Sequence, residues 1–475
     1  MESAFDLEQI RGCGTLLARP SRRLRGWSPC GSEEVVATMD RLEERVGIEA
    51  LAVHLPGSFL DLGVLARANG TDPEKYYFGL GCRRMAIPSP DEDAVVLASH
   101  AARTLLANYG IDASGIGMVI VGTESGVDAA KPIASYVHRM AGLPSDCRAF
   151  DVQHACYGGT AALRMAAAWV RSGFRPGRKA LVIATDVARY DVGSPGEPTQ
   201  GAAAVAMLVG DDPRVLELLP YPEAVHTAEV LDFWRPTYRS TALADGHYSM
   251  QCYLDALESC WHRFAAATGL GWKAFDFLLY HSPFPKMAFK AHGRLSELAA
   301  GGAARDGAAA DWERRVLPTL WANTEVGNAY SASLFVSLAG LLEHAEVDPA
   351  GAQLGLFSYG SGSCAEFLAA RVGPDAAAWR ERTGLRSALG RRRELTHEAY
   401  LRSRRDYEER ARDGSFRAAL GGDGPAFCGT WNHQRVYRDA GWRGAAGLVG
   451  PGARPASVDA RPVVSSPLRR AHAGE

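Results

Sequence analysis

A cysteine followed by two glycines, HACYGGT around Cys156, is the first place where residue types suggest chemistry. It stands at the start of an apolar stretch that the spacing predicts to be a helix over 158–170. A helix N-terminus carries partial positive charge and unpaired N–H groups, which favour the nucleophilic thiolate. Gly158 and Gly159 would let a substrate approach closely. Glu124, in VGTESGVDAAKP, follows a short apolar run and can move a proton or simply stand in a loop. His281, in LLYHSPF, directly follows another such run; a satisfied core histidine is the competing explanation. Asn328, in VGNAYS, can orient a carbonyl or cap the helix that it precedes. The small residues of SYGSGS, with Gly360 and Ser361, can present backbone N–H groups to an oxyanion. Together these supply a nucleophile, a base, an acid and hydrogen-bond donors.

Four β-branched or apolar runs read as buried strands: Met118–Val121, Ala180–Ala184, Phe277–Tyr280 and Leu354–Phe357. Each ends in a polar or small cluster, where functional groups gather in α/β sheets. Two segments, 158–170 and 331–342, are apolar almost all round, so they are expected as helices buried in a core and too short to cross a membrane. Strand, active loop, buried helix and strand recur in that order. Thr185 follows Cys156 and Ser358 follows Asn328 at nearly equal spacing. The expectation is therefore two duplicated α/β halves, 46–215 and 216–372, with the two buried helices between two sheets.

Composition narrows the field. The chain has 475 residues, 47% hydrophobic, with a formal net charge of −2. That balance offers no electrostatic footprint for nucleic acid. The nine cysteines show no C-x-x-C pair, against both a zinc site and a disulfide framework. No leader-like apolar region and no uncharged run of membrane-spanning length appears, so a reducing cytoplasm is expected. Residues 1–44 read as a poorly ordered extension and 441–475 as a disordered tail rich in Gly, Ala, Pro and Arg. An Arg-rich stretch, 391–412, has no functional account from the sequence.

The segments TESGVDAAK, ACYGGTAAL, LVIATDVARY, GEPTQGAAAVAML, DFWRPT, HSPFPKM, VGNAYSASL and LFSYGSGS resemble, in order, the motifs of hydroxymethylglutaryl-CoA synthases; the resemblance spans roughly 46–438. It implies the five-layer αβαβα thiolase-like fold with two duplicated halves, a helical extension over 373–440, and a homodimer. It also implies roles. Cys156 would be acetylated, Glu124 would be the general acid/base, and His281 would polarise the acceptor ketone. Asn328, the Ser361 N–H and the Cys156 N–H would hold thioester carbonyls, with Gly360 and Tyr330 beside them. Lys286 and Lys290 could serve CoA phosphates or a carrier-protein surface equally well. No metal, nicotinamide or flavin is implied, and no membrane. Within the family, CRAFDVQHACYGGTAALRMAAAWV, ADGHYSMQCYLDALE, FKAHGRL and WNHQRVYR are similar to the branch acting on acyl carrier proteins, as donor and acceptor, in polyketide β-branching. ARYDVGSPGEPTQG and YFGLGCRRMAIPSPDED look more like the bacterial CoA enzymes. A decarboxylating ketosynthase of the fatty-acid-initiation type would share Cys156, His281 and Asn328 but would not need Glu124.

Overall fold

The structure, a computed structural model, describes residues 45–299, 308–374, 376–412, 414–421 and 424–439. The sequence expectations for 1–44 and 441–475 fall outside the described residues.

A continuous sheet runs through the molecule. From one edge its strands are Arg148–Gln153, Ile116–Thr123, Lys179–Val187, Ala202–Gly210, Gly47–His54, Leu216–Leu218, Cys364–Val372, Gln353–Gly360 and Phe277–Tyr280, with Ala224–Thr227 also on Cys364–Val372. The duplication appears in the pairing. Ile116–Thr123 runs parallel to Lys179–Val187, which pairs antiparallel with Ala202–Gly210. Phe277–Tyr280 likewise runs parallel to Gln353–Gly360, which pairs antiparallel with Cys364–Val372. Leu216–Leu218 bonds to Gly47–Ile48 on one side and to Ala370–Val372 on the other, joining the two halves into one ladder.

Alternation along the strands sorts side chains to opposite faces. Val119, Val121, Leu181 and Ile183 face the outer helices Ala94–Tyr109 and Ile133–Met140. Met118, Ile120, Ala180 and Val182 face inward to Leu163, Ala166, Phe335 and Leu338 of the helices Gly158–Arg171 and Ser333–Leu342. Leu279, Leu354 and Leu356 close that inner core from the other half. Beyond them Leu278, Tyr280, Phe357 and Phe367 pack on the helices Gly246–Thr268 and Pro285–Ala299. These are the expected five layers, except that the two sheets are not separate: Leu216–Leu218 joins them edge to edge into one ladder. Fully burying a Phe or Leu such as Phe335 or Leu338 stabilises by about 1.5–3 kcal/mol each.

The helix Gly158–Arg171 packs on the turn that precedes Ser333–Leu342, where Gly159 faces Ser331. A Cβ on Gly159 would lie 2.7 Å from the Ser331 carbonyl oxygen and 2.8 Å from the Ala184 Cβ, so only glycine fits. This contact brings the Cys156 turn beside the Asn328 loop.

Two expectations need correction. Helix Ser333–Leu342 is buried throughout, but helix Gly158–Arg171 leaves Met165 47% exposed. It lies beside Arg148–Gln153, which among the described residues is an edge strand of the sheet. The segment 373–440 is also not purely helical. After the helix His397–Arg412 it ends in a hairpin of Ala426–Trp431 with Gln434–Arg438. The alternating AFCGTW and QRVYR suit paired strands.

Candidate active site

Cys156 is two residues ahead of its helix, with φ of 56°, in the left-handed region. The turn is tight: the Tyr157 N–H donates to the Ala155 carbonyl at 2.6 Å and the Gly158 N–H to that of His154 at 3.3 Å. Against it lies the loop of the other half. A Cβ on Gly360 would be 2.0 Å from the Ala155 oxygen and 2.6 Å from the Tyr157 Cβ. The Tyr157 hydroxyl donates to Glu366 at 2.9 Å, and Glu366 also pairs with Arg164 at 3.0 Å. Nucleophile turn and candidate oxyanion loop are thus fastened together.

The thiol is closely surrounded although the residue keeps some open surface. Burial holds it well above the ordinary cysteine range, and the carboxylates of Glu124, Asp186 and Asp232 add to this. The sequence expectation of a thiolate favoured by the helix start is therefore corrected: desolvation and nearby carboxylates outweigh the dipole and favour the neutral thiol at Cys156.

Glu124 ends the strand Ile116–Thr123 and is buried, with Oε2 lacking a protein partner. Burial first and Asp186 second raise its carboxyl well above the ordinary range, while Arg235 opposes them. The Arg235 guanidinium also donates to the Glu124 backbone carbonyl. A buried carboxyl raised in this way, with an unpartnered oxygen, is suited to giving or taking a proton.

His281 follows the strand Phe277–Tyr280 and is buried. Its N–H donates to the Phe357 carbonyl at 2.7 Å, and its own carbonyl accepts from the Tyr253 hydroxyl at 2.8 Å. The ring Nδ1 has no protein partner, and burial lowers the imidazole to about 3, so it is neutral. A neutral ring offers one donor and one acceptor nitrogen.

Asn328 is buried, and its Oδ1 accepts from the Tyr330 N–H at 2.9 Å and the Ser333 hydroxyl at 3.0 Å. The local turn thus uses the oxygen, leaving the amide NH2 as the group suited to a substrate carbonyl. Tyr330, at φ 43°, is buried with its hydroxyl unpartnered. Its ring lies edge-on to Phe233 with centroids 5.5 Å apart, and burial first, then Tyr190, Glu124 and Cys156, raise its phenol.

The side chains that organise these groups escaped the sequence reading. Asp186, at the end of Lys179–Val187, accepts from the Thr123 hydroxyl at 2.8 Å and from the Glu124 and Ser125 N–H groups at 2.9 Å. Its other oxygen accepts from the Ser331 N–H at 2.9 Å. Asp232, fully buried in DFWRPT, accepts from the Tyr359 hydroxyl at 2.8 Å and the Gly362 N–H at 3.1 Å, holding the loop on both sides of Ser361. The available signal was position: Asp186, like Glu124, stands where a buried strand stops.

Lys286 and Lys290 lie on the helix Pro285–Ala299, which follows the His281 loop. Lys286 Nζ sits 4.3 Å from the ring centroid of the exposed Phe289, and exposed Lys290 reaches the Met250 sulfur at 2.8 Å. The neighbouring Arg294 is neutralised by Glu258 and Glu297. Among the described residues no helix is long and apolar enough to cross a membrane, and no three His, Cys, Asp or Glu gather as a metal site.

Comparison with known proteins agrees with this architecture. A family model described as "Hydroxymethylglutaryl-coenzyme A synthase N terminal" matches residues 42–214, and its "C terminal" counterpart matches 221–298 and 302–438. The chain is 39% identical to the hydroxymethylglutaryl-CoA synthase of Enterococcus faecalis over 68% of its length and 82% of the relative's. It is 34% identical to the polyketide biosynthesis 3-hydroxy-3-methylglutaryl-ACP synthase PksG of Bacillus subtilis over 74% of its length and 86% of the relative's. Among solved structures, MvaS in complex with 3-hydroxy-3-methylglutaryl coenzyme A superposes with a TM-score of 0.77 at 41% identity. That alignment covers 84% of this chain and 99% of the other. The curacin pathway HMG synthase in complex with acetyl donor-ACP gives 0.78 at 32% identity, covering 83% and 99%. With both family models matched end to end across the two halves that converge on Cys156, this chain belongs to the hydroxymethylglutaryl-coenzyme A synthase family, with its thiolase-like fold.

Proposed function

We propose that Cys156 takes an acetyl group from a donor thioester and that the acetyl carbon then attacks the ketone of a β-ketoacyl thioester. In the first step the Cys156 sulfur bonds to the acetyl carbonyl carbon, the donor's carbon–sulfur bond breaks, and the proton lost by the Cys156 thiol leaves on the donor's sulfur as its free thiol. Glu124 next removes a proton from the acetyl methyl group, which the thioester carbonyl acidifies, and N–H groups of Cys156 and Ser361 meet the enolate oxygen. The enolate carbon attacks the acceptor ketone, whose oxygen becomes a tertiary hydroxyl by taking a proton, with His281 and Asn328 orienting the acceptor. Water then cleaves the product from Cys156. The observation that carries this reading is the buried Glu124 carboxyl, its Oε2 without a protein partner, at the end of a strand packed on the Cys156 turn, where a Cβ on Gly122 would lie 2.3 Å from the Gly158 carbonyl oxygen. Incubation with acetyl-CoA or acetyl-carrier protein is expected to add an acetyl mass to the Cys156 peptide in the native protein. Cys156→Ala should carry none; a stable acetyl group elsewhere defeats the assignment.

For the acceptor we infer a β-ketoacyl chain on an acyl carrier protein, giving a hydroxymethylglutaryl-type β-branch in polyketide assembly. Supporting this are the wording around Cys156, the exposed Lys290 and Phe289 after the His281 loop, and the likeness to the curacin synthase bound to its donor carrier. A second reading, acetoacetyl-CoA as acceptor, is favoured by the higher identities to the CoA enzymes, 39% and 41%. Turnover of acetoacetyl-carrier protein and acetoacetyl-CoA at matched concentration, at low and high salt, separates them. Carrier steering by exposed charge should weaken with salt, whereas equal or better use of the CoA ester in both buffers selects the second reading. The open strand edge Arg148–Gln153 beside the exposed Met165 fits a homodimer, which sedimentation would test. We place the activity in the cytoplasm.

A further inference from the structure

The Arg-rich stretch that the sequence left without a role supplies a buried cation behind the site. On the helix His397–Arg412, Tyr400 and Arg404 are one turn apart and both are buried. Both face the GEPTQ segment. Arg404 Nη1 donates to Gln200 Oε1 at 2.8 Å, and Nη2 donates to the Tyr190 carbonyl at 2.5 Å. The same Gln200 oxygen accepts the Tyr190 N–H at 2.9 Å, while its Nε2 donates to the Tyr400 hydroxyl at 3.0 Å. Tyr190 is therefore gripped at both ends of its backbone by one guanidinium–amide unit. A planar fork can bridge two acceptors on separate chain segments, and a lysine ammonium does so less well.

What is gripped reaches the chemistry. The Tyr190 ring packs edge-on against Phe233, with centroids 6.1 Å apart, and Phe233 packs likewise against Tyr330 at 5.5 Å; burial first, then Cys156 and Glu124, raise the Tyr190 phenol. Gln200 bridges to Asn328, whose N–H donates to the Thr199 carbonyl at 2.9 Å. We propose that Arg404 is a positioning residue for the condensation, fixing the Tyr190 phenol against the Cys156–Glu124 pair from behind. The assignment rests on the reaction proposed above.

The test is a double-mutant cycle of Arg404→Met with Tyr190→Phe, beside Arg404→Lys. Cys156 acetylation and condensation in the unaltered enzyme check the reaction itself, so its failure is separable from that of the positioning role. Arg404→Met should lower kcat for condensation about tenfold with KM within twofold, and Arg404→Lys should recover part of it. In the Tyr190→Phe background the Met substitution should cost little more, because its route to the site is already gone. Full additivity of the two losses overturns the proposal. So does a fall in melting temperature with kcat unchanged. If Arg404→Met does not fold, the cycle is read with Arg404→Lys, and the same two outcomes decide.

Discussion

Asp186 and Ser331, 145 positions apart, are joined by a 2.9 Å hydrogen bond from the Ser331 N–H to the Asp186 carboxylate. The other carboxylate oxygen holds the Glu124 loop, so one buried acid ties that loop in the first half to the Asn328 loop in the second. The two sets of active loops share a rivet.

Asp186→Asn tests that rivet. The acid accepts only N–H and O–H donors, and an amide would turn an NH2 group toward some of them. Stability should fall by about 3 kcal/mol or more, since buried donors lose a charged acceptor. Denaturant unfolding measures this, and a change within 0.5 kcal/mol, the usual range for a surface site, would contradict it.

Glu124→Gln should separate the two chemical steps. Acetyl-Cys156 should still form, but condensation should drop by about 10²–10⁴-fold because an amide cannot accept the methyl proton. Intact-protein mass and product formation are read in parallel. Condensation near the native rate would return the decarboxylating alternative.

The thiol's environment gives a pH prediction. Because burial and nearby carboxylates hold Cys156 well above its ordinary range, its thiolate fraction rises with pH, and iodoacetamide alkylation should keep climbing through pH 9. Removing one carboxylate lowers the thiol, so Glu124→Gln should be alkylated faster than the native enzyme at pH 8. An alkylation plateau below pH 8 would show a low-pKa thiol. His281, held near 3 by burial, is neutral above about pH 4 and should contribute no limb between pH 6 and 7.

Gly360→Ala places a methyl group 2.0 Å from the Ala155 oxygen, forcing the oxyanion loop and nucleophile turn apart. Overpacking of this kind costs about 1–3 kcal/mol, and acetylation of Cys156 should slow at least tenfold. Gly271→Ala, which meets nothing within 4 Å, serves as the control. Equal acetylation by both variants would sever the loop from the first step.

Much of the fold was readable because buried strands and helices write themselves as uninterrupted apolar runs. Phe277–Tyr280 coincides with its strand, and 118–121, 180–184 and 354–357 fall inside theirs. The repeat of loop and helix spacing gave the layered arrangement. The sequence could not show what each polar residue faces. Asp186 and Asp232 have no local signature of their bonds to Ser331 and Gly362, partners distant in the chain. The state of Cys156 was misread for the same reason: the helix start is local, while the three carboxylates around it come from other segments. The pairing of Arg294 with Glu258 on the adjacent helix has no local signature either.

The left-handed backbone at Cys156 carries a consequence for evolution in the laboratory. A side chain at φ 56° costs roughly 1 kcal/mol that glycine does not incur. A Cys156→Gly chain should thus unfold at higher denaturant than a Cys156→Ala chain, and selection for thermal endurance alone would drift toward an inert protein. Screens for a hardier variant must therefore score turnover alongside endurance, because at this position the two pull in opposite directions.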